Sequence, residues 1–320
     1  MLRRIGWLGG VVVLGVVVAT ALAAGDPLYL PAILKNNAPP GPTLGGCPMF
    51  PGDNAWNRDV SSDPVDPNSN AYINYILQSR TYLHADFGSN PDYGIPYVVV
   101  PASQPLVPIT FTAYADESDP GPYPIPSNAP IEGGSDRHVL VLRQGECKLY
   151  ETFATTYSAA TGWRAANGAI FDLNSNALRP LGWTSADAAG LPILPGLVRY
   201  DEVTAGEIRH ALRFTVQTTQ RRYILPATHF ASDVTDTNAP PMGLRLRLRA
   251  SFNIASFYGQ ARVVLEALKR YGMIVADNGS SWYISGATDP RWDDDDLNQL
   301  KTIPGTAFEV VQIAPGTMYP

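Results

Sequence analysis

Two runs in this chain alternate apolar and charged side chains residue by residue, and that period of two restricts the fold more than any other feature. Leu244-Arg-Leu-Arg-Leu-Arg-Ala250 sets leucine against arginine throughout. Successive side chains of a strand point to opposite faces, so this segment is predicted to be a half-exposed antiparallel strand with a solvated arginine face, which argues against an all-parallel sheet. The second run starts at Glu207. Ile208, His210, Leu212, Phe214 and Val216 fall on one face, and Glu207, Arg209, Arg213 and Thr215 on the other. Just before it, Tyr200 to Ala205 suits one helical turn, with Asp201 near its start and Gly206 ending it, which puts Glu202 at the strand's entrance.

The rest of the chain supports the same class. His138–Leu142 and Cys147–Phe153 are predicted as a hairpin that aligns Glu151 with Cys147, Leu149 and Phe153 on a buried-looking face. Met273–Ala276 and Trp282–Ser285 are predicted as another, around the turn Asp277-Asn-Gly-Ser280. Phe257–Tyr271 carries a helical apolar stripe stopped by Gly272, and Ala71–Gln78 suits a shorter helix. Ala115–Gly134 is too polar and proline-broken to be an element, and loops of this size in compact domains are usually functional or mobile. The expected architecture is mainly β, an antiparallel β-sandwich or jelly-roll-like domain with a few packed helices, with α+β as the alternative.

The N-terminus has a basic start, an apolar run of about 18–20 residues, long enough either for a signal peptide or for a span, and the small-x-small pattern Ala21-Leu-Ala23. Residues 1–24 are therefore expected to be a signal peptide or an uncleaved anchor, 25–46 a Pro/Gly-rich linker, and 47–320 a single globular β-rich domain. Both cysteines, Cys47 and Cys147, follow the export signal. Outside the cytoplasm such a pair is most simply a disulfide, and closing a loop of that length is worth about 4–5 kcal/mol in the chain-entropy description. A net charge of -6 and a pI near 5.2 argue against nucleic acid as partner.

Paired carboxylates at strand ends point to glycosyl transfer, in which one carboxyl donates a proton while the other stays charged. The candidates are Glu202, Glu151, Asp136 and Asp277, with Glu202 and Glu151 preferred and His210 orienting one of them; the competing reading is ordinary ion pairing with neighbouring arginines. Arg213, Arg209, Trp163, Trp282 and Tyr200 are the candidates for substrate contact. No metal is expected, since the four histidines lack zinc-ligand spacing. Asp66-x-Asn68-x-Asn70 and Asp172-x-Asn174-x-Asn176 mimic only the first half of a calcium loop, so no cofactor is expected beyond a weak calcium alternative.

Leu194–Phe214 and Tyr271-Gly-Met-Ile-Val-Ala-Asp-Asn-Gly279 resemble stretches of an uncharacterised family of secreted bacterial proteins. The resemblance transfers no catalytic role, though it directs attention to Glu202, His210 and Asp277. The functional expectation is a secreted or cell-surface monomer acting on a polysaccharide or oligosaccharide as a glycoside hydrolase. The alternatives are a polysaccharide lyase and a non-catalytic module binding carbohydrate or cell wall, with membrane contact only through an uncleaved N-terminal segment.

Overall fold

The computed structural model describes residues 41–320. The expected signal segment and most of the linker lie outside the described residues. The fold is mainly β. Its largest sheet has six strands in the order Phe308–Val310, Arg245–Leu248, Met273–Asn278, Leu212–Val216, Tyr283–Ser285, His84–Asp86. Leu212–Val216, near the middle, runs parallel to Met273–Asn278 and antiparallel to Tyr283–Ser285.

The helix Gly259–Arg270 links Arg245–Leu248 to Met273–Asn278 and buries Ala261, Val264, Leu265, Ala267 and Leu268. It starts two residues later than its apolar stripe suggests, because its first turn is capped from a distance. The Asp296 carboxylate accepts from the backbone N–H of Gln260 (2.6 Å) and Ala261 (3.2 Å). Gly259 permits this approach: its φ is +55°, and a Cβ there would lie 1.9 Å from Asp296 Oδ2.

A four-stranded sheet follows the order Asn167–Asp172, Lys148–Phe153, Val139–Arg143, Tyr97–Val100. Its middle pair is the expected antiparallel hairpin, and Cys147 at the turn is bonded to Cys47, the Cα atoms 5.3 Å apart. Leu140, Leu142 and Leu149 from this sheet share one apolar cluster with Leu212, Phe214, Leu246 and Met273 from the larger one. Opposite-pointing residues of the four-stranded sheet, Val139, Val141 and Tyr150, pack on Tyr123, Ile125 and Ala129. The Ala115–Gly134 segment, expected to be a polar insertion, thus supplies buried side chains and is anchored further by Asp119 pairing with Arg179. Among the described residues no helix is long and apolar enough to cross a membrane.

Three local expectations are corrected. Met273–Asn278 and Tyr283–Ser285 do not form a hairpin, because Leu212–Val216 inserts between them: Gly279 N–H donates to the Val216 carbonyl and Trp282 N–H to that of Thr215. The run from Glu207 becomes strand only at Leu212. The arginine face of Arg245–Leu248 is largely covered rather than solvated. Arg245 donates to the carbonyls of Ala55, Arg58 and Tyr271, and Arg247 to Glu309 (2.8 Å) and the Val60 carbonyl. Segment 55–60 is held over the sheet by these bonds.

Candidate active site

The strand Leu212–Val216 brings Arg213 beside Asp277 of its parallel neighbour. Their register shifts between Phe214 and Thr215, so that Thr215 is paired with Asp277; such bulges re-aim the side chains next to them. Arg213 is 4% exposed, and each of its three guanidinium nitrogens is hydrogen-bonded. Its Nε and Nη2 donate to the two oxygens of Asp187 (2.9 and 2.8 Å), Nη1 donates to Ser285 Oγ (2.7 Å), and Nη2 also reaches Asp277 Oδ2 (3.2 Å). Asp187 is completely buried, whereas the Asp277 side chain keeps 24% of its surface.

That exposed side opens on a cleft of about 310 Å³ whose walls include Asp86, Glu132, Asp136, His138, Arg213 and Asp277, with Tyr93 and Tyr283 at its edge. The volume is at the lower end of the range for small-molecule sites, roughly 300–1,000 Å³. His138 is buried and bonded to Glu132 Oε2 through both its backbone N–H (3.1 Å) and its Nδ1 (2.5 Å), while Nε2 donates to the Ala186 carbonyl (3.0 Å). Both contacts from His138 fall on Oε2, so Oε1 is the oxygen left to face water or substrate.

Two of the cleft carboxyls, Asp277 and Glu132, are driven in opposite directions. Burial, reinforced by the Asp187 charge and only partly offset by Arg213, pushes the Asp277 carboxyl up to about 6. Burial also pushes Glu132 up, but its hydrogen bond and charge contact with His138 win and hold it below its ordinary value. His138 is raised, its burial outweighed by the bond to Glu132. Asp86 is raised by burial, with Glu132 and Asp136 adding to the shift.

No known protein family, curated protein or solved structure matches this chain.

Of the residues singled out in the sequence, the fold brings Asp277, Asp136 and Arg213 together at the cleft. Glu151 sits behind it and has no access. It is fully buried, its carboxylate accepting from the N–H groups of Ile193 (2.8 Å) and Leu194 (2.9 Å), and burial pushes it up to about 7. Glu202 and His210 belong to a separate closed cluster: Glu202 lies 2.6 Å from Arg199 Nη2 and 3.0 Å from His210 Nε2, with Arg199 and His210 inaccessible to water. Burial pushes Glu202 up, and the opposing charges of His210 and Arg199 bring it below its ordinary value. Arg209 is half-buried beside that cluster.

The aromatic candidates lie elsewhere. Trp282 is fully buried against Phe214 and Phe308, and Trp163 is 3% exposed in the smaller apolar cluster, so neither offers a face to substrate. Tyr200 packs edge-on against Trp292 under Arg291. Asp66 and Asp172 cap their own Asx turns by accepting from Asn68 and Asn174 N–H.

Asp187, Glu132, Asp86 and Ser285 escaped sequence reasoning. Asp187 lies in the segment Thr184–Gly190, where an acid set among alanines with no nearby base is a signal that its partner lies far off in sequence. Glu132 lay in the long proline-broken segment, where its distance from His138, six residues, was the available clue.

Proposed function

We propose that this cleft hydrolyses glycosidic bonds, with Asp277 as proton donor and Glu132 as the carboxylate that stays charged. One observation carries the reading: two carboxyls on one cleft have their proton affinities pushed apart, Asp277 up to about 6 and Glu132 below its ordinary value, and such separation is how acid and base roles are assigned between like groups. Asp277 would give its proton to the glycosidic oxygen as the bond from that oxygen to the anomeric carbon breaks. Glu132 Oε1 would either take a proton from the attacking water or bond to the anomeric carbon, its charge steadied by His138. Arg213 and Asp187 position Asp277.

The acidic lining supports a neutral or amine-bearing glycan and weighs against the lyase. A lyase must neutralise a uronate, and the cleft's arginine is already committed to Asp187 by two parallel bonds. The exposed Tyr93 at the edge is suited to packing on a sugar face. The disulfide supports work outside the cytoplasm, as a secreted or cell-surface protein. On the same reading the two larger sheets, which share one core, are the packed layers of a sandwich.

Incubating the purified protein with a panel of neutral and amino-sugar polysaccharides and measuring new reducing ends tests the assignment. Turnover that disappears in Asp277→Asn and Glu132→Gln is expected. No turnover on the whole panel, or full activity in both variants, would sink it.

A further inference from the structure

The cleft around Asp277 is not a closed pocket. A hollow of about 420 Å³ adjoins it on the side of Asp86, Tyr93 and Tyr283, which stand in the walls of both. Another, of about 250 Å³, adjoins it at Asp136, Asp277 and Asn278, again shared walls, and continues between Tyr114, Phe153 and His229. Asp277 and Asp136 therefore stand where the cleft gives way to this second hollow, with the first hollow at the cleft's other end. An enzyme that trims chain ends needs a wall just past the reacting bond; here open space with an aromatic lining continues on both sides. Tyr93 in one arm is 58% exposed and Tyr114 in the other 48%, and flat amphipathic rings of this kind bury area while keeping the hydroxyl wet.

Building on the hydrolase reading, we infer that the site takes the interior of a polysaccharide, with sugar units in both arms and the bond to be broken over Asp277, so that the enzyme cuts within chains. The walls carry several carboxyls against Arg213, which is committed to Asp187, and Lys301 in the Tyr93 arm, a balance that suits a chain without acidic groups. A chain end or a disaccharide would fill only the middle of such a groove and would forgo the contacts of the arms. Binding energy from these remote units is what holds the reacting bond against the acid.

The test uses the inactive Asp277→Asn protein titrated calorimetrically with β-1,4-linked oligomers of glucose, mannose and N-acetylglucosamine, from dimer to heptamer. Affinity for the accepted series is expected to rise by about tenfold or more, a difference of roughly 1.4 kcal/mol, between dimer and pentamer and then to level off. Tyr93→Ala and Tyr114→Ala, made in the same background, should each remove part of that rise. In parallel, the wild-type protein should cut an end-labelled heptamer at internal bonds first. Affinity that does not change beyond the dimer, or release of terminal sugars alone, would overturn the inference. Length-dependent binding without any cleavage would instead keep the groove as the path of the chain and remove the hydrolase assignment, whereas cleavage with length-independent affinity would do the reverse.

Discussion

Two clusters in this protein combine carboxylate, arginine and histidine, and they differ in charge balance and in access to water. At Glu202 one carboxylate lies between the Arg199 guanidinium and the His210 imidazole, and both partners are sealed. The Arg199 contact is close but poorly aligned for hydrogen bonding, so charge rather than direction holds it. At Asp277 one arginine is divided between two aspartates, and the buried Asp187 takes the larger share. Asp277 is left under-compensated and open to the cleft, and its proton affinity rises, while that of Glu202 falls. A carboxyl becomes a candidate acid through an incomplete share of positive charge together with a route to solvent. Residue type and position on a strand do not suffice.

The two clusters should differ most in their effect on activity. Asp277→Asn should lower turnover by at least about a hundredfold, the scale of losing a positioned acid or base, whereas Glu202→Gln should leave it within a few-fold; a steady-state assay on the accepted glycan decides, and the opposite pattern would return the chemistry to the closed cluster. The effects on stability come next. Asp187→Ala strands the buried Arg213 guanidinium and should cost about 3–5 kcal/mol in denaturant unfolding, while also lowering activity through a displaced Asp277. Glu202→Gln should cost less, on the order of 2–3 kcal/mol, since the amide still offers one oxygen to the buried Arg199 and His210.

The smallest effects are those of pH. Asp277 must be protonated and Glu132 ionised, so kcat/KM should fall as pH rises through about 6 and fall again as pH drops through the lowered Glu132 value. Stability should move differently in the two regions. Asp277 holds its proton more tightly folded than unfolded, so its contribution is present below about 3.8 and is lost as pH rises towards about 6. Glu202 is depressed on folding, so its contribution is present above about 4.5 and is lost as pH falls through its lower folded value. Unfolding curves of Asp277→Asn and Glu202→Gln across pH 3 to 7 separate the two: each variant should lose only its own slope, and equal slopes would end the distinction.

Much of the scaffold was legible from local pattern. The hairpin at Val139–Phe153, the helix stopped by Gly272 (φ +70°) and the short helix Tyr200–Ala205 stopped by Gly206 (φ +84°) all depend on neighbours within a few residues. The site was less so. Asp277 was named from its position after a strand, and Arg213 from its alternation, but alternation placed Arg213 on a face opposite the apolar row without indicating that this face is buried too. It is buried because Asp187, from a segment 26 residues away, neutralises it.

The order of residues alone determined the mainly β class, the export-compatible pairing of Cys47 with Cys147, and the pool of acids from which a site could be drawn. Tertiary structure decided which acids matter. Sliding Leu212–Val216 between Met273–Asn278 and Tyr283–Ser285 set Arg213 against Asp277 and Ser285, and folding the Ala115–Gly134 segment over the second sheet carried Glu132 to His138 and to the same cleft. The proton affinity of a carboxyl depends on charges and water within a few ångströms, and those distances are set by strand order and by packing between segments far apart in sequence, which no local pattern encodes.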